Sequence, residues 1–124
     1  MSLTALTLLL TGVLLNAGAQ LLLKAGTNAT GVLSLTSADW GRTLWLMLTQ
    51  VHFILGVALY GVSVVVWIFG LSRVPVSVAY PLLSIGYVVN AVLAHYLLGE
   101  NVTVTRWMGI GFIMVGVWLV ARSA

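Results

Sequence analysis

Four runs of apolar residues, at about residues 3–25, 43–70, 76–98 and 104–122, leave this chain of 124 residues little choice of fold. Each run is near or above the roughly 20 residues that a helix needs to cross a hydrocarbon core about 30 Å thick. In lipid the backbone amides of a spanning segment must be satisfied within it, so runs of this length form helices. The expected architecture is all-α, an integral membrane four-helix bundle forming a single domain over residues 1–124. Breakers stand where the turns should be. Gly26-Thr27-Asn28 closes the first run, Arg73-Val74-Pro75 separates the second from the third, and Gly99-Glu100-Asn101 closes the third. Only the first connection is long, from about Gly26 to Arg42, and Trp40 and Trp45 are expected to anchor it at the membrane interface.

Composition excludes several other classes. At 61% hydrophobic and 6% charged residues, the chain has too few charges to cover a soluble globule. Five scattered basic residues against Asp39 and Glu100 form no nucleic-acid footprint. With no cysteine there is no disulfide, thiolate metal site or thiol nucleophile. The first run lacks both a basic leading stretch and a small-residue cleavage site, so it is expected to be retained as a span. Four spans place Arg73 and Arg122 on one side and Lys24, Arg42 and Arg106 on the other. That difference is too small for the positive-inside rule to set an orientation.

Within the first run, Asn16, Gln20 and Lys24 fall at i, i+4 and i+8, one stripe of a helix that is otherwise rich in leucine. Polar groups inside a membrane are costly without partners, so such a line suggests a polar path or binding groove. Asn and Gln can also bond between helices, and a Lys near a helix end can snorkel to the interface. The third run adds Tyr80, Ser84 and Tyr87 at i, i+4 and i+7, with Asn90 beyond them. Pro81 removes the donor to the carbonyl one turn earlier, near Ser77. In the second run Tyr60, Ser63 and Trp67 share a face that either completes an amphipathic wall or packs between helices.

Neither His52 nor His95 has a carboxylate close in sequence, so neither is read as a metal ligand: His52 is expected at the interface and His95 near the far end of the third span. Asp39 and Glu100 sit in or beside loops. No nucleophile–base pair and no glycine-rich phosphate cradle is present, so neither an enzyme nor a cofactor is expected. In the last run Gly109, Phe112 and Gly116 lie at i, i+3 and i+7, where small residues permit close backbone approach. This face is the expected dimer seam, since four helices alone make a thin wall around a substrate.

These residues together resemble the drug/metabolite transporter superfamily. The resemblance rests on Leu21-Leu22-Leu23-Lys24, Val74-Pro75-Val76-Ser77-Val78-Ala79-Tyr80-Pro81-Leu82-Leu83-Ser84, Leu98-Gly99-Glu100-Asn101 and the stretch from Trp107 to Val117. It covers nearly the whole chain, in the four-helix size class of the small multidrug resistance proteins. Those exporters carry a membrane-embedded Glu eight residues before the lysine, where this chain has Asn16. An amide does not titrate, so proton-coupled export of cationic drugs is not implied. Ala17-Gly18-Ala19-Gln20 and Ala79-Tyr80-Pro81-Leu82-Leu83-Ser84 look closest to the small subunits proposed to flip undecaprenyl-phosphate aminoarabinose across the bacterial inner membrane.

That resemblance implies a polyprenyl-phosphate-linked sugar as substrate, membrane lipid as surroundings, and a homodimer or a heterodimer with a related small subunit. Lys24 is the expected phosphate contact, with Arg106 a second cation at the start of the fourth span. Asn16, Gln20, Tyr80 and Ser84 are expected to carry the sugar, with Tyr60 and Tyr87 completing the binding wall. Two rival readings remain open at this stage: an exporter of small amphipathic compounds, and a non-transporting membrane subunit of a glycosyltransferase complex.

Overall fold

The computed structural model describes residues 2–31 and 40–123. Its order is α1 (Leu3–Thr30), α2 (Trp40–Thr49), α3 (Val51–Leu71), α4 (Val76–Leu82), α5 (Ser84–Leu97) and α6 (Val104–Ser123), with no strand among the described residues. Four stretches are long and apolar enough to cross a membrane: α1, α3, the α4–α5 pair over Val76–Leu97, and α6. Asp39 lies outside the described residues.

Side-chain caps, invisible to hydropathy, move two of the expected boundaries. Helix α1 does not stop at Gly26. Thr27 Oγ1 donates to the Lys24 carbonyl at 2.8 Å and Thr30 Oγ1 to that of Gly26 at 3.0 Å, tying these residues into the helix instead of ending it. Gly26 is retained for space, since a Cβ there would come within 2.9 Å of the Phe53 ring. The helix ends five residues later at Gly31, whose φ of 83° is left-handed and whose N–H returns to the Thr27 carbonyl. Likewise the expected second run over 43–70 is two helices. Gln50 is extended, and its Oε1 accepts from the backbone N–H of His52 and Phe53, starting α3 afresh. Helix α2 is therefore a separate ten-residue segment packed on α3, with Trp40 and Trp45 exposed.

Helix α1 is the central element. It packs most extensively along α3 and also meets α4 and α5, while α6 packs on α4 and α5. The α1–α3 seam depends on missing side chains. A Cβ at Gly12 would lie 3.3 Å from the Trp67 backbone, and one at Gly70 would lie 2.6 Å from Leu9 Cδ2. Toward the Leu71–Val76 turn the helices close on a buried cluster of Leu9, Ala79, Leu82 and Val117. Gly12→Leu should force the α1 and α3 backbones apart at a cost of about 1–3 kcal/mol. Gly61→Leu, on the same helix pair where nothing lies within 4 Å of the added Cβ, should be nearly neutral. Loss of helicity on titration with denaturing detergent measures both; equal midpoints would show that the close approach at Gly12 does not limit stability.

Candidate functional site

Because α3 and α4–α5 both pack on α1, a groove forms between them, with α1 as its floor. Its first section is a cavity of about 320 Å³ that includes Gly12 and Asn16 from α1, Tyr60, Ser63 and Trp67 from α3, and Tyr80 from α4. The Trp67 and Tyr80 rings meet edge to face at 5.9 Å, and the buried Ser63 hydroxyl donates to the Tyr60 carbonyl at 2.6 Å. These bonds set the wall. A second cavity of about 260 Å³ shares Asn16, Tyr60 and Leu83 with the first and adds Gln20, Tyr87 and Asn90.

The groove continues past α3. A third cavity of about 310 Å³ takes over Gln20 and Asn90 and adds Lys24 and Glu100. A fourth, of about 350 Å³, shares Glu100, Ala91 and Ala94 and reaches Arg106 and Gly109 on α6. Four cavities thus run in sequence along the bundle, each sharing lining residues with the next. On α1 alone, Gly12 to Lys24 is a rise of about 18 Å at about 1.5 Å per residue. The floor is amide-lined, the first two cavities are tyrosine-walled, and both groove-lining cations lie at the other end.

Most of the residues singled out from sequence meet in this groove, as Asn16, Gln20, Lys24, Tyr60, Tyr80, Tyr87 and Arg106 all line it. Ser84 lines none of these four cavities. Pro81 has no N–H, and the chain tightens around Leu83, whose N–H bonds the Tyr80 carbonyl while its own carbonyl accepts from Gly86. The groove-facing stripe is therefore Tyr80, Leu83, Tyr87, Asn90 and Ala94, at steps of three and four. Ser84 falls one residue off it. The amides of Asn16 and Gln20 bond no other side chain among the described residues, so they are not spent joining helices.

Asn90 and Glu100 also line the groove. Asn90 is partly buried, and its Oδ1 is a buried oxygen without a hydrogen-bond partner. Its register with Tyr80 and Tyr87 was the signal for it in the sequence. Glu100 lines both of the last two cavities, although its place after Gly99 reads as a loop. Gly99 at φ 70° turns the chain back, so that the Glu100 N–H bonds the Ala94 carbonyl at 3.1 Å. His95 Nδ1 donates to the Glu100 carbonyl at 2.9 Å, and its ring packs edge to face on Tyr96 and Trp107. His95 is thus a fastener for this turn. His52 is partly buried and bonded to the Gln50 amide at 2.8 Å, and no group of three or more metal-ligating side chains exists among the described residues.

Comparison with known proteins places the groove in a family context. The EamA-like transporter family model matches residues 1–122. The chain is 41% identical over 75 residues to a protein of Pectobacterium atrosepticum named a probable 4-amino-4-deoxy-L-arabinose-phosphoundecaprenol flippase subunit, ArnE; the match spans 60% of each chain. It is 37% identical over 105 residues to the ArnF subunit of the same name in Yersinia enterocolitica, covering 82% of this chain and 81% of that one. With the ArnF subunit of Photorhabdus laumondii it shares 36% identity over 118 residues, 91% of this chain and 93% of the other. No solved structure matches the chain significantly.

Proposed function

This multi-pass membrane protein belongs to the EamA-like transporter family, and from that membership we propose that it flips a polyprenyl-phosphate-linked sugar across the bacterial inner membrane. The observation that carries the proposal is the continuous groove. Its lining has cations at one end, amides along its α1 floor and tyrosines that are 43–60% exposed along its flank. A lipid-linked sugar phosphate has matching parts. Its anionic phosphate suits Lys24 or Arg106, its hydroxyls suit Asn16, Gln20 and Asn90, and its polyprenyl tail stays in lipid beside Tyr60 and Tyr87.

The step is movement without covalent chemistry, driven by the lipid's own gradient or by later consumption of the sugar. Purified protein reconstituted in vesicles with a labelled polyprenyl-phosphate-linked sugar tests it. Protein-dependent accessibility of the label from the opposite leaflet is the expected result; equal rates in protein-free vesicles would end the proposal. The first cavity, with Tyr60, Trp67 and Tyr80, also favours a second reading, export of small amphipathic compounds. Competition by such compounds for the lipid-linked sugar distinguishes it.

We further propose that the working unit is a pair of chains, a homodimer or a heterodimer with a related subunit, joined through α6. Phe112 is largely exposed and a Cβ added at Gly109 or Gly116 meets nothing within 4 Å, so this face has room for a second backbone. Gly116→Leu should move most of a crosslinked dimer band to monomer on a denaturing gel, with the subunit expressed alone or beside its related subunit. An unchanged dimer fraction would remove this seam.

A further inference from the structure

The cation end of the groove also holds an acid. Glu100 is the one acidic side chain among the described residues, and it lines both of the last two cavities, with Lys24 in one and Arg106 in the other. Among the described residues no ion pair joins it to either cation. The turn that carries it is tied at three points. The Glu100 N–H bonds the Ala94 carbonyl at 3.1 Å, His95 Nδ1 bonds the Glu100 carbonyl at 2.9 Å, and Arg106 Nη1 donates to the neighbouring Asn101 carbonyl at 3.2 Å. The backbone under the carboxylate is thus fixed, and Glu100 is partly buried while Lys24 and Arg106 are exposed.

A phosphate that enters this end meets two cations and one carboxylate, an excess of a single positive charge. Glu100 follows directly on α5, where the unsatisfied carbonyls of a helix C-terminus add to its negative potential instead of offsetting it. A phosphodiester carries one negative charge and closes that balance. A phosphomonoester ionises a second time near about pH 6 and carries roughly −1.5 to −2 at neutral pH. It therefore leaves a charge uncompensated beside a carboxylate, and such a charge is costly out of water. The two esters are related by one event. Transfer of the sugar to an acceptor hydroxyl exchanges the anomeric bond to the phosphate oxygen for one to the acceptor oxygen. The hydroxyl proton passes to the phosphate or to water, and the lipid is left as a monoester.

We propose that Glu100 is a specificity-determining residue that makes the groove disfavour the phosphomonoester, so that the sugar-bearing lipid is carried in preference to the spent carrier. This rests on the lipid-linked sugar reading above and adds a rule of charge count that is independent of the sugar. Spent lipid, formed wherever the sugar is consumed, then competes weakly for the groove.

Binding to the purified full chain in detergent micelles tests this with sugar-free ligands at about pH 8, where the monoester is dianionic. The first pair is polyprenyl phosphate and the same lipid capped as its methyl phosphodiester. The second is octyl phosphate and octyl methyl phosphate. Wild type should bind the diester of each pair more tightly by about fivefold or more, the effect of one extra like charge across a partly solvated cavity. Glu100→Gln preserves shape and should bring both ratios to one or below, chiefly by tightening the monoester, whereas Glu100→Asp should keep the preference. Helicity and elution volume confirm that each variant is folded. A Glu100→Gln ratio equal to wild type, or a wild type that binds the monoester as tightly as the diester, overturns the selection and leaves the lipid-linked reading standing. If wild type binds neither polyprenyl lipid, the lipid-linked reading fails and the octyl pair decides the selection alone. A diester preference lost in Glu100→Gln then upholds it, and no preference or no binding removes it.

Discussion

Asn16→Leu combined with Gln20→Leu is expected to slow transport of the lipid-linked sugar by about tenfold or more while leaving the amount of folded protein nearly unchanged. The magnitude follows from losing two hydrogen-bonding positions worth about 0.5–1.5 kcal/mol each when a substrate hydroxyl passes them. The preserved fold follows from the geometry. Both amides line the groove, and neither bonds another side chain among the described residues, so leucine strands no buried partner. An amide that joins helices behaves differently, because its removal weakens association by roughly half a kcal/mol or more per bond. Flipping rate in vesicles, set against helicity after detergent denaturation, separates the two roles. Activity falling in proportion to the folded fraction would make these residues structural and leave the groove without its polar floor.

What was legible in the sequence was what lipid demands. The four spans follow from hydrophobic length, and the stripe of Asn16, Gln20 and Lys24 follows from helical spacing, because both depend on the local chain alone. The errors arose where a side chain bonds backbone. Thr27 and Thr30 carry α1 past Gly26, and Gln50 divides 43–70 into α2 and α3, by hydrogen bonds that hydropathy does not register. Ser84 shares a helical face with Tyr80 and Tyr87 when the third span is read as one uninterrupted helix. The turn that tightens around Leu83 puts Leu83 on the lining of the first two cavities. Glu100 reads as a loop carboxylate because its position over the groove depends on Gly99 reversing the chain and on His95 holding the turn, which are tertiary facts. The Gly109, Phe112 and Gly116 face is a different case. Its register is plain in the sequence, but the pairing proposed for it involves a second chain and rests on the crosslinking experiment.

Lys24 sets the sharpest test of an anionic substrate. Six residues before Thr30, the last residue of α1, it is exposed, lines the third cavity and has no ion pair among the described residues. Lys24→Ala should therefore weaken binding of a polyprenyl phosphate by about tenfold or more, the effect of removing one charged hydrogen bond, and leave binding of the corresponding neutral alcohol unchanged. Lys24→Arg should keep part of the affinity, because a point charge is satisfied by either cation before geometry distinguishes them. Arg106, whose Nη1 already donates to the Asn101 carbonyl at 3.2 Å, lines the neighbouring cavity and sets the residual affinity of the Ala variant. A lysine that only snorkels predicts otherwise, since its ammonium would seek the interface whatever lipid is present and Lys24→Gln would be tolerated. Thermal shifts with the phosphate and with the alcohol decide between them. Equal shifts in wild type and variant would remove Lys24 from the site, and the cation end of the groove would then rest on Arg106 alone.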